Sequence, residues 1–320
     1  MARIVTLGSA LQDIYLVDRD DFTAANIGDV SIFGQIAIGS KIDIDRISFE
    51  IGGGGTNSAV TFARHGHETV FMGNIAHDPA GEAVMALLDQ EGIDSSYVKC
   101  IPRTHTGCSI ILLDSKTGER TIMTYRGASA KFNNLDPDWL DEVCPDWLYI
   151  TSMRGDMETL TKFLHKAKVI VCKVMINPGK LELERPHELL GLMNLIDILA
   201  VNKREAMQIV PGQYLPELAE NLLNYVGTVI ITDNSMGAIA TNRKETYHVG
   251  LYEDVKVKDT TGAGDAFGSG FLAHFASGHS FEESLIFASA NSTSVITELG
   301  AKKGILTGTE KLHLMPIEKV

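Results

Sequence analysis

The residues with the clearest chemical content form the run Asp259-Thr260-Thr261-Gly262-Ala263-Gly264-Asp265-Ala266-Phe267-Gly268-Ser269-Gly270-Phe271. The run follows a strand-like stretch and passes into helical periodicity, so its small residues open a helix. The first N–H groups of a helix have no intrahelical acceptor, and the helix dipole adds positive potential there. The N–H groups of Gly262, Ala263 and Gly264 therefore make an anion hole without a basic side chain. A carboxylate beside bound phosphate is repelled unless it has a task. Phosphoryl transfer gives Asp265 one: it accepts the proton of an attacking hydroxyl while the backbone donors stabilise charge on the moving group. The plainer alternative is an acid favoured by the first turn of a helix.

Other residues suit the recognition of hydroxyls and anions. In Gly52-Gly53-Gly54-Gly55-Thr56-Asn57 the glycines, Gly53 and Gly54 among them, bend the chain tightly and bring backbone against a polyol. Asn57 offers a donor and an acceptor to neighbouring hydroxyls. A turn before a helix explains the same glycines. Asp13, just after the first strand, reads by itself as a loop or cap residue. Arg126 and Arg154 carry the side chain that pairs bidentately with carboxylates or phosphates, with surface arginine as the bland alternative.

The elements that must position these residues follow from the rest of the 320-residue chain. The pieces Val30-Ser31-Ile32-Phe33 and Ile42 to Ile47 alternate apolar and polar residues, as antiparallel strands do. Thr106 to Asp114 and Arg120 to Tyr125, joined by Ser115 to Glu119, read as a hairpin. These two β-rich patches, about 14–50 and 104–127, are expected to join as a small lid. Asn57 to His65 and Gly81 to Glu91 have helical spacing, and Val70 to Ile75 is a strand. Further strands are expected near Leu148 to Thr151, Val169 to Ile176, Ile196 to Val201 and Val229 to Thr232, with helices between them. Repeated strand-helix units imply a mostly parallel sheet covered on both faces: one α/β domain over 1–320 with a lid.

Composition narrows the function classes. The net charge of -13 disfavours nucleic acid and anionic membrane surfaces as partners. Cys100, Cys108, Cys144 and Cys172 have neither zinc-site nor disulfide spacing and read as free thiols. The opening run is too short for a signal peptide, and no stretch has the length of a membrane span, so a cytoplasmic protein is expected.

At these motifs the sequence resembles the ribokinase-like, or PfkB, carbohydrate kinases over nearly its whole length. Asp259 to Asp265 matches their Asp-Thr-x-Gly-x-Gly-Asp signature, Gly52 to Asn57 their Gly-Gly-x-Gly-x-Asn motif, and Asn202-Lys203-Arg204-Glu205 their Asn-x-x-Glu element. The resemblance implies ATP as donor, Asp13 on substrate hydroxyls, Asn202 facing nucleotide phosphates, and Glu205 holding Mg²⁺ through water. It also implies a monovalent-cation site, usually K⁺, at Asp259 and Thr261. Asn202 and Glu205 equally fit a capping box. On the adenine side Thr232-Asp233-Asn234-Ser235-Met236-Gly237 stands for the family's Thr-x-Gly-x-x-Gly. Asn234 replaces a Gly there but tolerates left-handed backbone. Asn291 resembles a residue beside the base, and a lid of this kind often pairs two subunits.

Ribose itself is not the expected substrate. Leu11 and Gly54 stand where ribokinases carry an Asn and a Lys, and Thr151 to Gly155 lacks their substrate-binding Glu. A sugar or sugar-like acceptor is the leading expectation. A nucleoside is the alternative, favoured by any apolar lid wall such as Phe33 and Ile36, and a non-catalytic sensor is a second one. A dinucleotide oxidoreductase fits poorly, because no G-x-G-x-x-G follows the first strand.

Overall fold

The computed structural model describes residues 1–18, 23–26, 32–35, 39, 41, 43–44, 46–114, 120–250, 255–312 and 316–320. The expectations at Val30, Ser31, Ile36, Ile42, Asp45 and Ser115 to Glu119 lie outside these residues, as does the side chain of Phe33.

The strands are β1 (Arg3–Leu7), β2 (Leu11–Asp18), β3 (Thr23–Asn26), β4 (Ile32–Gln35), β5 (Arg46–Gly52), β6 (Glu68–Ile75), β7 (Val98–Cys100) and β8 (Gly107–Asp114). They continue as β9 (Arg120–Tyr125), β10 (Trp147–Ile150), β11 (Lys173–Ile176), β12 (Ile198–Asn202), β13 (Thr228–Thr232), β14 (Ala238–Thr241), β15 (Thr246–Val249) and β16 (Ile317–Lys319). The helices are α1 (Gly54–Arg64), α2 (Pro79–Gln90), α3 (Trp139–Val143), α4 (Met157–Val169) and α5 (Lys180–Leu183). After them come α6 (Pro186–Leu192), α7 (Lys203–Ile209), α8 (Leu215–Leu223), α9 (Ala263–Ala276) and α10 (Phe281–Ile296).

Runs such as Trp147-Leu148-Tyr149-Ile150 are apolar on both sides of the pleat, which suits strands covered on both faces. They lie in one sheet of order β16-β15-β14-β13-β12-β11-β10-β1-β6-β7. Pairing is parallel from β7 through β13 and antiparallel from β13 to β16. Alternate strand residues feed two cores. Val5, Leu148, Val174, Leu199 and Ile231 pack with Leu160 and Phe163 of α4 on one face. Ile4, Tyr149, Met175 and Ile230 pack with Phe267 and Phe271 of α9 on the other.

The two β-rich patches do join, in a second sheet of order β5-β2-β8-β9. Its inner row sets Glu50, Asp13, Ser109 and Thr124 side by side, and the neighbouring row on the outer face sets Phe49, Ile14, Ile110 and Met123 together. The predicted strand from Val169 begins only at Lys173. Val169 closes α4, and Val171 sits in a turn, 87 % exposed with φ 59°. Apolar turn residues imitate a strand in composition, which is why the two were not separable.

α1 lies close against β1 and β6. A Cβ at Gly55 would stand 2.7 Å from Phe71 Cε2 and 2.8 Å from the Gly8 carbonyl carbon. Gly55→Ala should therefore lower stability by about 1–3 kcal/mol through overpacking, read as a shifted denaturant midpoint with an unchanged slope. An unmoved midpoint would mean that α1 can slide away from the sheet at little cost.

Candidate active site

Ligands of open α/β sheets bind beyond the carboxyl ends of the parallel strands, and here those ends surround two joined cavities. The larger, about 430 Å³, lies between the inner face of the lid and the main sheet, and the smaller, about 250 Å³, runs along the ends of β12 and β13 and the start of α9. Asn177, Glu205, Gly262 and Asp265 line both. Asp13, Gly53, Gly54, Asn57, Arg126, Arg154 and Thr261 line the larger, and Asn202, Thr232, Ala263 and Gly264 the smaller.

Gly262 caps α9 at φ 80°, a left-handed conformation that lets the chain turn sharply into the helix. Asp265 follows in the first turn. Its Oδ2 accepts a 2.8 Å hydrogen bond from Asn57 Nδ2. Burial raises the Asp265 pKa, while the Asn57 bond and Lys302 pull the other way. Asp13 is buried on the inner face of β2. Loss of solvation pushes its carboxyl up to about 6 against a Ser109 hydrogen bond and the charges of Lys302 and Arg126.

Lys302 was not singled out in the sequence. It is 8 % exposed, and its Nζ donates to Ile51 O at 2.5 Å, Thr56 Oγ1 at 3.1 Å and Asn57 Oδ1 at 2.5 Å. Burial brings its ammonium down to about 7, partly opposed by Asp13 and Asp265. Its only local sign is a Lys pair between glycines, Gly300 to Gly304. Asn177 and Glu182 were also missed. The first lies where the carboxyl-end rule would look, just past β11. Glu182 is buried and accepts from Ser152 Oγ at 3.1 Å, Gly155 N at 2.5 Å and Gly179 N at 2.8 Å. It thus ties the loop carrying Arg154 to the turn after β11.

Asn202 and Glu205 form the capping box of α7: Asn202 Oδ1 accepts from Glu205 N at 3.0 Å, and Glu205 Oε2 from Asn202 N at 2.8 Å. Glu205 also lines both cavities, and burial raises its pKa. A carboxyl at that junction fits a hard cation held through water. Asp259 is buried. Its oxygens accept from Thr261 N at 2.9 Å, Thr261 Oγ1 at 2.7 Å, Tyr15 Oη at 2.8 Å and Gly300 N at 3.2 Å. Arg120 of β9 stands 3.6 Å away. The Asp259 carboxylate thus has its charge met by protein groups, a poor fit for a second cation.

Asn234 has φ 46°, the left-handed backbone its position requires, but neither it nor Gly237 lines the smaller cavity. Asn291 is away from both cavities. It is fully buried between α9 and α10, donating to Ala266 O at 2.8 Å and accepting from Leu306 N at 2.9 Å. Both ends of its amide are committed to the fold, so it is corrected from a residue beside the base to a helix-packing residue.

Between pH about 7 and 10.5 the unfolded chain keeps a proton that folded Lys302 gives up, so this group makes stability rise with pH across that window. Lys302→Met should flatten that rise and cost about 1–3 kcal/mol at neutral pH for the acceptors left unpaired. Denaturant unfolding at several pH values tests both. An unchanged pH slope would show that its three acceptors keep the ammonium charged throughout.

The description pfkB family carbohydrate kinase matches residues 1–307. The ribokinase of Haemophilus influenzae is 27 % identical over 274 residues, 82 % of this chain and 87 % of that one. Among solved structures, the ribokinase of Arabidopsis thaliana complexed with ribose and ATP superposes with a TM-score of 0.77 at 24 % identity, covering 95 % of this chain and 96 % of that one. The adenosine kinase of Sinorhizobium meliloti superposes with a TM-score of 0.79 at 22 % identity, covering 96 % and 98 %. These two likenesses establish the fold. With the match to the family over almost its whole length, the chain belongs to the pfkB family of carbohydrate kinases.

Proposed function

We propose that the protein transfers the γ-phosphoryl group of ATP to a hydroxyl of a sugar or sugar-like molecule, with Asp265 as general base. The observation that carries this reading is the place of Asp265, in the first turn of α9 where the two cavities meet. The acceptor occupies the larger cavity, held by Asp13, Gly53, Gly54 and Asn57, and the nucleotide the smaller. Asp265 takes the hydroxyl proton, the oxygen bonds to the γ-phosphorus, the bond to the β,γ-bridging oxygen breaks, and ADP leaves. The N–H groups of Gly262, Ala263 and Gly264 stabilise the charge on the transferring group. Thr232 lines the smaller cavity on the adenine side, with Asn234 and Gly237 shaping the turn that follows it, and ATP as donor suits a cytoplasmic enzyme.

Glu205 would hold Mg²⁺ through water and Asn202 would face the nucleotide phosphates; the ion, when bound, adds positive charge beside the phosphate oxygens. K⁺ is assigned a small part, because Arg120 already stands beside Asp259. A nucleoside acceptor is the second reading, supported by the apolar wall of Leu11, Ile111 and Ile122 in the larger cavity. The test is ADP release with ATP and Mg²⁺ across sugars, sugar acids, sugar phosphates and nucleosides. Asp265→Asn should lower turnover by roughly two to four orders of magnitude. In the wild type the acid limb of the pH profile should lie above the ordinary aspartate value of 3.8, since the base works only when deprotonated. Replacing K⁺ by tetramethylammonium should change the rate by less than about threefold, a factor worth under 1 kcal/mol. Wild-type turnover in Asp265→Asn would remove the base assignment.

The chain is read as one domain, its lid formed by 14–50 and 104–127. The outer face of the lid leaves Phe49 59 % and Met123 50 % exposed in one row, an arrangement suited to pairing with the same face of a second copy. Light scattering should give a dimer that Phe49→Asp with Met123→Lys converts to an active monomer; a wild-type monomer at high concentration would remove the dimer.

A further inference from the structure

Two arginines line the larger cavity. Arg126 directly follows the lid strand β9 and caps the short turn Gly127–Ala130, while Arg154 lies in the loop between β10 and α4. Among the described residues, neither forms an ion pair with a carboxylate or a hydrogen bond through its guanidinium. Arg154 Nε is buried with no partner at all. The two feel each other: burial and the charge of Arg154 both lower the Arg126 pKa, and Asp13 opposes this only from beyond ion-pair distance.

The fold accepts strain to keep Arg154 there. Its φ of 56° is left-handed, a conformation unfavourable for a non-glycine residue. The backbone is locked by Ser152 Oγ accepting from Arg154 N at 3.3 Å and by Glu182 accepting from Gly155 N. A buried guanidinium nitrogen without a partner is unfavourable unless a ligand anion meets it. In a chain of net charge -13 carboxylates are abundant, yet none has been placed against this pair.

We infer that Arg126 and Arg154 form an anion clamp, and that the acceptor is a monosaccharide already carrying one phosphate or carboxylate group. This rests on the kinase reading only for what happens to the bound sugar. Each planar guanidinium offers paired donors that match such a group bidentately. The anionic group sits away from the accepting hydroxyl, since beside Asp265 it would be repelled. Because one arginine belongs to the lid and the other to the main sheet, the bound anion also draws the lid onto the substrate.

The test is calorimetric binding without ATP, using pentose and hexose monophosphates, hexonic acids, their neutral parent sugars and nucleosides. At least one charged sugar should bind tenfold or more tighter than its neutral parent, and which arm responds identifies phosphate or carboxylate. Arg126→Gln and Arg154→Gln should each weaken that ligand at least tenfold, with the neutral parent little changed, and Arg126→Lys should recover only part. Arg126→Gln decides the matter if the strained loop of the Arg154 variant misfolds. Equal binding of neutral and charged sugars, no binding by any charged sugar, or unaltered binding by the variants overturns the clamp. ADP release separates the two readings. A charged sugar that binds but is not phosphorylated removes the kinase reading and leaves the clamp. Turnover of a neutral sugar with no charged sugar binding does the reverse.

Discussion

A buried carboxyl without a counter-ion must be restrained by hydrogen bonding, and the bond from Asn57 to Asp265 meets that constraint. An ionised carboxylate only accepts and an ammonium only donates. With Asp265 at one end of the amide and Lys302 at the other, Asn57 has a single satisfactory orientation. The first turns of α1 and α9 and the loop after α10 are thereby held in one arrangement. Lys302 supports Asp265 through the amide without forming an ion pair with it. The close approach of α1 to β1 and β6 at Gly55 serves the same end, because a helix standing farther out would carry Asn57 away from the carboxylate.

The main sheet turns that local arrangement into a site. Its parallel strands deliver the turn after β10, Asn177 after β11, Asn202 at the end of β12 and Thr232 at the end of β13 to one edge. Two cores on opposite faces make the edge stiff, and α9, whose first turn carries Asp265, is packed through Phe267 and Phe271 into one of them. Interior packing at near-crystalline density leaves such an element little freedom to drift.

Motifs whose chemistry is local were legible in the sequence. The glycine turn into α9, the capping box at Asn202 and Glu205, and the left-handed Asn234 all follow from backbone rules that act over a few residues. Joining the two β-rich patches was legible from shared alternation. What depends on distant contacts was not. Lys302 becomes informative only when folding buries it against residues about 250 positions away, and Glu182 only when three N–H and O–H donors converge on it. Asn291 failed for the same reason, since packing between helices, invisible in its neighbours, uses up its amide.

Among the described residues the two cavities have four lining residues in common, Asn177, Glu205, Gly262 and Asp265. On the proposed assignment of acceptor and nucleotide, what distinguishes one acceptor from another is therefore carried mostly by side chains that line the larger cavity alone. Such a partition makes the enzyme divisible in evolution. Duplicated copies can drift through new acceptors by changing lid and loop residues one at a time, each retaining an intact phosphate-handling half, so that loss of one substrate does not entail loss of catalysis.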